Sequence, residues 1–306
     1  MIHVIAVSGQ AVFSVLSTGR VWQVSPMADR RTAQIEPGGV LLSMGFANTS
    51  EPTSVEERTL PSADGAILYD HRIFNHFEPA WLRADAWPGQ ADVPDAPGRG
   101  AVRFVTGEAG EFALRHYRRG GLAGRVLDDE FLWLGQTATR PFREFRLLAR
   151  LTGLGLPVPA PAAAGYRRSG AVYRGDILTR RLAGVRSLAG VLGERDLEAG
   201  EWRRIGATIR RFHAAGVCHA DLNAHNIQLG EEGTVWLLDF DRGRIRRPGA
   251  WQRRNLARLL RSLDKLGGSV PGFRYEAGGW RELVAGYRSG RPADHAPDHR
   301  TDELAG

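Results

Sequence analysis

The sequence predicts an α+β chain, rich in strands in its first half and mainly helical in its second, built as one two-lobed unit or two small domains. Three observations lead there. Apolar alternation over AVRFV and again over EFALRHY, with TGEAG (106–110) between them, marks two strands and a turn. Phe142, Phe145, Leu148 and Leu151 recur at helical spacing, as do Trp202, Ile205, Ile209 and Phe212 further on. A length of 306 residues, 42% of them hydrophobic, is enough to bury a sizeable core.

Residues 1–50 show little periodicity and read as a disordered leader or as an extended or misassigned start. Their opening, MIHVIAVSGQAVFSVLSTG, is interrupted by polar residues and lacks a charged front, so a signal peptide is not expected. The span 64–97, rich in Trp, Phe, Pro and Asp, reads as an irregular cap. The hairpin of 101–117 follows, preceded by the glycine pair Gly98 and Gly100. Thr139 is placed to cap a helix over 139–151, which GLGLPVPAP (153–161) stops. A second amphipathic helix covers 201–216 with Gly216 as its stop, and HADLNAHN (219–226) comes directly after. NIQLG and TVWLLDF make a short hairpin, and 251–266 and 280–287 read as helices. The expected divisions are therefore a leader (1–50), a β-rich N-terminal lobe (51–160), a helical C-terminal lobe (161–290) and a tail (291–306).

The formal charge is +7, and Lys265 is the only lysine among the cations. Such an arginine surplus fits either a soluble surface or an anionic partner. Cys218 is the single cysteine, which excludes an internal disulfide, and beside a tight loop it reads as filler rather than nucleophile. No apolar run reaches the length of a membrane span.

The chemistry concentrates in HADLNAHN and, shortly after it, WLLDFDRG (236–243). Phosphoryl transfer from a magnesium nucleotide needs a carboxylate to take a hydroxyl proton, two oxygen ligands for the metal, and a cation on the phosphates. Asp221 stands where the base would stand. Asn226, where the loop returns into a strand, can offer an amide oxygen to the metal, and Asp239, ending an apolar strand, a carboxylate. His219 is expected to organise the loop, and a structural role is favoured for His225. Read as bare residues, Glu144 and Arg115 stay open: a site acid or one face of solvated pairs, a phosphate clamp or a surface arginine.

The ordered set GRG…ALRHYRRGG, FREFRLL…GLPVPAP, HADLNAHN and LLDFDRG resembles the Kdo kinase family within the protein-kinase-like superfamily, over about residues 69–287. The resemblance implies a two-lobed protein-kinase-like fold, with a small β-rich N-lobe and a mainly helical C-lobe. It implies ATP and Mg2+ as cofactors, Asp221 as catalytic base, and Asn226 and Asp239 as metal ligands. It implies also that Glu144 pairs with the phosphate-binding cation, here Arg115 in FALR, and that Gly98 and Gly100 cover the nucleotide. Arginine replaces the superfamily's lysine, Arg103 stands at the third glycine, and D-F-G becomes D-F-D, which places Asp241 beside Asp239 and points to a constitutive enzyme.

The implied reaction is phosphorylation of the 4-hydroxyl of a Kdo sugar on a lipid A precursor, in lipopolysaccharide core biosynthesis. The enzyme would then sit peripherally on the cytoplasmic face of the inner membrane. Other acceptors (a heptose, an aminoglycoside-like molecule, a protein hydroxyl) are the alternative within kinases. A basic pseudokinase binding nucleic acid is the alternative outside them. No helix-turn-helix, RNA-binding sheet motif or zinc spacing supports the latter, so no nucleic-acid partner is expected. The stretch RHYRRGG (115–121) reads either as an anion-binding patch or as an exposed basic turn.

Overall fold

A computed structural model describes residues 3–7, 10–14, 54–87, 92–93, 102–119, 129–231 and 233–290. The chain divides into two compact units, Met1–Thr49 and Ser50–Gly306. In the first, β1 (His3–Val7) pairs antiparallel with β2 (Gln10–Ser14), Val7 opposite Gln10. The rest of the expected leader, and the expected tail over 291–306, lie outside the described residues.

The second unit opens with an eight-stranded antiparallel sheet. Its strands are β3 (Glu57–Ser62), β4 (Gly65–Asp70), β5 (Asp92–Val93), β6 (Val102–Gly107), β7 (Gly110–His116), β8 (Phe131–Leu132), β9 (Pro161–Ser169) and β10 (Val172–Arg180). They lie in the order β3-β4-β9-β10-β7-β6-β5, and β8 pairs with β10. The β6–β7 hairpin closes on Gly107 opposite Gly110, at the turn the glycines of TGEAG predict. Gly110 takes φ 117°, a conformation that only glycine holds cheaply.

Two sequence expectations need correction here. The span 64–97 does not begin as an irregular cap: its first residues form β4, whose alternating Ala66, Ile67 and Leu68 reach opposite faces of the sheet. Beyond it, 71–87 is irregular as expected, with 3-10 turns at Pro79–Leu82 and Ala84–Ala86. The sheet also continues past residue 160, because β9 and β10 are two of its central strands. Small residues hide β9 from pattern reading: Ala162, Ala163 and Ala164 are all buried and carry no alternation of polarity.

One face of the sheet is covered by Phe74, Phe77, Leu82 and Trp87 from the cap, packed on Phe112, Leu114 and Leu178. The other face receives α1 (Arg140–Gly153), which buries Phe142, Phe145, Leu148 and Leu151 as its periodicity predicts. Thr139 precedes α1 with an extended backbone, but its hydroxyl donates to the Gln136 carbonyl at 2.8 Å instead of capping the helix. Pro141 in the first turn pre-sets the helical φ there.

After the sheet come β11 (Arg186–Ser187), α2 (Leu188–Glu194) and α3 (Ala199–Ala214), then β12 (Val217–Cys218), β13 (Ile227–Leu229), β14 (Val235–Leu237) and β15 (Arg244–Ile245), and finally α4 (Ala250–Ser269) and α5 (Ala277–Ser289). Trp202, Ile205, Ile209 and Phe212 of α3 are buried, and Gly216, at φ 75°, ends the turn after it. α3 and α5 meet backbone to backbone: a methyl group on Gly206 would overlap the carbonyl of Leu283, and one on Gly286 that of Arg203. β13 and β14 form the expected hairpin, and β12 pairs with β15, which returns the chain to the loop carrying HADLNAHN.

Candidate active site

Strand alternation decides which side of the sheet Arg115 reaches. Phe112 and Leu114 point into the capped face, so Ala113, Arg115 and Tyr117 project toward α1. There Arg115 Nη2 donates to both oxygens of Glu144 at 2.6 Å, and Nη1 donates to Asp239 Oδ1 at 3.2 Å. The Tyr117 hydroxyl donates to Glu144 Oε2 at 2.5 Å, and the Arg115 guanidinium stacks over the Tyr117 ring. Glu144 is 3% exposed, so the inward reading holds for it and the solvated-face reading does not. Burial alone would weaken the hold of Arg115 on its proton, but Glu144, Tyr117 and Asp239 together raise its pKa. Burial raises the Glu144 carboxyl from its usual range, and Arg115 pulls it back.

HADLNAHN is held by a lattice of local bonds. His219 Nδ1 accepts the backbone N–H of Asp221 at 3.1 Å, which leaves Nε2 as the protonated nitrogen donating to the Leu238 carbonyl at 2.8 Å. The neutral ring thereby ties the loop to the residue just before Asp239, the organising role expected of it. Asn255 of α4 brackets the same residue, accepting from His219 N at 3.2 Å and donating to His219 O at 2.8 Å. Asn223 closes an Asx turn, its Oδ1 accepting from the N–H groups of His225 at 2.9 Å and Asn226 at 3.2 Å. Asn226 Nδ2 donates to the Asp221 carbonyl at 2.8 Å, which turns its amide oxygen to the other side of the group. The Asn226 carbonyl in turn accepts from Leu238 N at 2.9 Å.

Asp221 and Asn226 are thus tied by hydrogen bonds to Leu238, the residue before Asp239, across a single loop and the end of β14. Asp239 takes φ 64°, the one non-glycine positive φ among the described residues, and such strain clusters at functional positions. Asp221 is half-exposed and pairs with Arg258 of α4 at 3.2 Å. Among the described residues no three His, Cys, Asp or Glu side chains converge to hold a metal by themselves. One amide and one carboxylate oxygen nevertheless fit magnesium, which uses few protein ligands and completes its shell with phosphates and water.

Asp241, the extra acid of D-F-D, closes on Arg140 at the start of α1, Nε to Oδ1 at 2.7 Å. Phe240 between the two acids is buried against Phe212 and His219. Gly98 and Gly100 lie outside the described residues. Arg103 does not lie open as a loop position would; its guanidinium donates to the Ala84 carbonyl at 2.8 Å. In the RHYRRGG stretch Arg118 is exposed, but its described neighbours are engaged in the fold. Besides Arg115 and Tyr117, His116 sits between Asp176 at 2.7 Å and Asp129 at 3.1 Å, and Arg119 donates to the Glu130 carbonyl.

Pattern reading passed over Tyr117, Asn223, Asn255, Arg140 and Arg258. Tyr117 carried a usable signal, since it lies two residues beyond Arg115 on the same strand face. Asn255 carried another: it interrupts the apolar positions of α4, where Trp251, Leu259 and Leu263 are buried beside it. Arg140 and Arg258 carried none, because their partners are far away in sequence.

The family model described as "Lipopolysaccharide kinase (Kdo/WaaP) family" matches residues 84–287. A 3-deoxy-D-manno-octulosonic acid kinase of Stenotrophomonas maltophilia (strain K279a) is 49% identical over 208 residues, 67% of this chain and 82% of the relative. Proteins of the same name from Xylella fastidiosa (strain 9a5c) and Xanthomonas campestris pv. campestris (strain B100) are each 47% identical, over 211 and 209 residues, with the same coverage.

Proposed function

This chain belongs to the lipopolysaccharide kinase (Kdo/WaaP) family, and on that premise we propose that it transfers a phosphoryl group from ATP to a Kdo sugar on a lipid A precursor, a step of lipopolysaccharide core biosynthesis. In this reading the acceptor oxygen is the 4-hydroxyl. The observation that supports the chemistry is the set of hydrogen bonds that ties Asp221 and Asn226 to Leu238, the residue before Asp239, with His219 as the bridge between loop and strand.

Asp221 is the catalytic base, its half-exposed carboxylate accepting the hydroxyl proton as the acceptor oxygen attacks the phosphorus in line. The Asn226 amide oxygen and the Asp239 carboxylate would hold Mg2+, which when bound neutralises charge on the phosphates. Arg115 steadies the phosphate chain through its planar fork, and the Glu144 carboxylate and Tyr117 hydroxyl fix the orientation of that fork. Gly98 and Gly100 approach the nucleotide through their backbone. The sheet with α1 acts as one lobe, α2 to α5 act as the other, and ATP enters between them. The acceptor is a lipid, so the enzyme works peripherally at the cytoplasmic face of the inner membrane. No helix among the described residues is long and apolar enough to cross a membrane.

Incubation of the purified protein with Mg-ATP labelled in its γ-phosphate and a Kdo-bearing lipid A precursor tests the reading. Labelled lipid is expected, and Asp221→Asn should lower turnover roughly 10²- to 10⁴-fold while nucleotide binding persists. No label from the wild-type protein would defeat it.

A further inference from the structure

The cations of this chain are not spread evenly. Residues 242–265 hold eight arginines and Lys265 against one acid, Asp264, a surplus of eight, so the remainder of a chain of net charge +7 carries about one negative charge. Elsewhere many arginines are paired with acids, among them Arg58 with Glu56, Arg146 with Glu57, Arg174 with Asp129, Arg195 with Glu201 and Arg203 with Glu282. Within 242–265 only Arg258 makes an ion pair with a described residue, and its partner is Asp221. All nine cations are exposed.

Two separate elements bring this charge to one place. Arg244 of β15 lies opposite Cys218, the residue before HADLNAHN, and Arg246 N donates to the Gly216 carbonyl at 2.8 Å. On α4, Arg254, Arg258, Arg261 and Lys265 follow at spacings of four, three and four and so form one stripe along the helix, about 16 Å long. Arg258 in that stripe reaches Asp221, so both elements border the same loop. Ile245, set between Arg244 and Arg246, is 37% exposed, and Val270, just beyond α4, is 39% exposed. Unpaired cations flanked by exposed apolar side chains suit a surface that is anionic outside and hydrocarbon beneath.

We infer that the 242–247 segment and the α4 stripe form the face by which this kinase docks on an anionic lipid bilayer, with the Asp221 loop at its border. The inference rests on the reading of the chain as a kinase of a lipid-linked acceptor and adds the surface that brings it to that lipid. The test is co-sedimentation of the whole chain with phosphatidylcholine vesicles, with and without phosphatidylglycerol, and with no acceptor present. Binding is expected only to the anionic vesicles and should weaken as added salt screens the charges. The variant Arg246→Glu/Arg247→Glu/Arg254→Glu/Arg261→Glu should bind them at least roughly 100-fold more weakly, since each cation near the surface contributes about fivefold. The corresponding glutamine variant should fall in between, and unchanged thermal unfolding of both shows that the fold survives.

Transfer to acceptor dispersed in detergent should be retained by these variants. If wild-type protein transfers no phosphate, the kinase reading fails while the vesicle assay still reports on the surface. Equal binding to neutral vesicles, undiminished anionic binding by the reversed variant, or a preference for nucleic acid over anionic vesicles at equal salt would each overturn the docking face.

Discussion

The Arg140 guanidinium closes on the carboxylate of Asp241, Nε to Oδ1 at 2.7 Å, and so ties the first residue of α1 to the acid that follows Asp239 and Phe240. Both side chains are largely buried, and Arg140 also lies over the Phe131 ring at 4.6 Å from its centre. With its oxygens turned to Arg140, Asp241 anchors the start of α1. Asp241→Asn should leave a buried cation without its counter-charge and destabilise the protein by about 3 kcal/mol. Denaturant unfolding measures that loss. The Mg2+ concentration for half-maximal activity should not move; a shifted midpoint with unchanged stability would make Asp241 a ligand instead.

Glu144 takes Arg115 through both oxygens and the Tyr117 hydroxyl as well. Glu144→Ala should strand Arg115 beneath α1 and cost about 3–5 kcal/mol in unfolding free energy. Tyr117→Phe removes one donor from a buried carboxylate and should cost about 1–2 kcal/mol. Arg115→Lys keeps the charge but loses the fork, so a rise in the KM for ATP is expected even where the fold persists.

His213 makes stability depend on pH. It is packed against the Trp251 and Tyr287 rings, its Nδ1 lies 2.8 Å from the Tyr287 hydroxyl, and burial pushes its pKa from 6.5 down to about 4. A ring kept neutral in the fold gains protons first in the unfolded chain. Its contribution is therefore complete above pH 6.5 and is eroded as the pH falls from 6.5 toward 4, by about 3 kcal/mol at the limit. His116 runs the other way. Asp176 raises its pKa against the effect of burial, so its contribution is complete below pH 6.5 and is lost as the pH rises through the folded value. Melting temperatures of His213→Gln and His116→Asn followed across pH should show the two slopes flattening in opposite directions.

The contact between α3 and α5 depends on Gly206 and Gly286, each set against a carbonyl of the opposing helix. Gly206→Ala gains about 1 kcal/mol of helix propensity in isolation. Here the added methyl must force the helices apart, so a net loss of about 2 kcal/mol or more and a lower melting temperature are expected. A melting temperature at or above that of the wild type would show that the helices separate at little cost.

Where a residue's role depends on neighbours in sequence, the chain was readable. The β6–β7 turn, the buried faces of α1 and α3, and the hairpin after HADLNAHN all follow from local periods and turn glycines. The same local reading picks out Asp221, Asn226 and Asp239, since one loop and the following hairpin span all three. β9 escaped because alanines carry no polarity pattern, and Thr139 misled because its hydroxyl had a nearer partner in Gln136. RHYRRGG looked like a basic surface, yet His116 is engaged by Asp176 and Asp129, which no local pattern places beside it.

The amino-acid order alone settled the kinds of chemistry this protein carries and the succession of its elements, since short-range steric and periodic effects act between residues a few positions apart. Folding decided which charges meet. Arg115 finds Glu144 and Asp239, Arg140 finds Asp241, and Arg258 finds Asp221, over separations of 29, 124, 101 and 37 positions. Such pairings are set by which sheet face and helix side confront each other once the core closes. Until then every one of these arginines is equally able to lie in water.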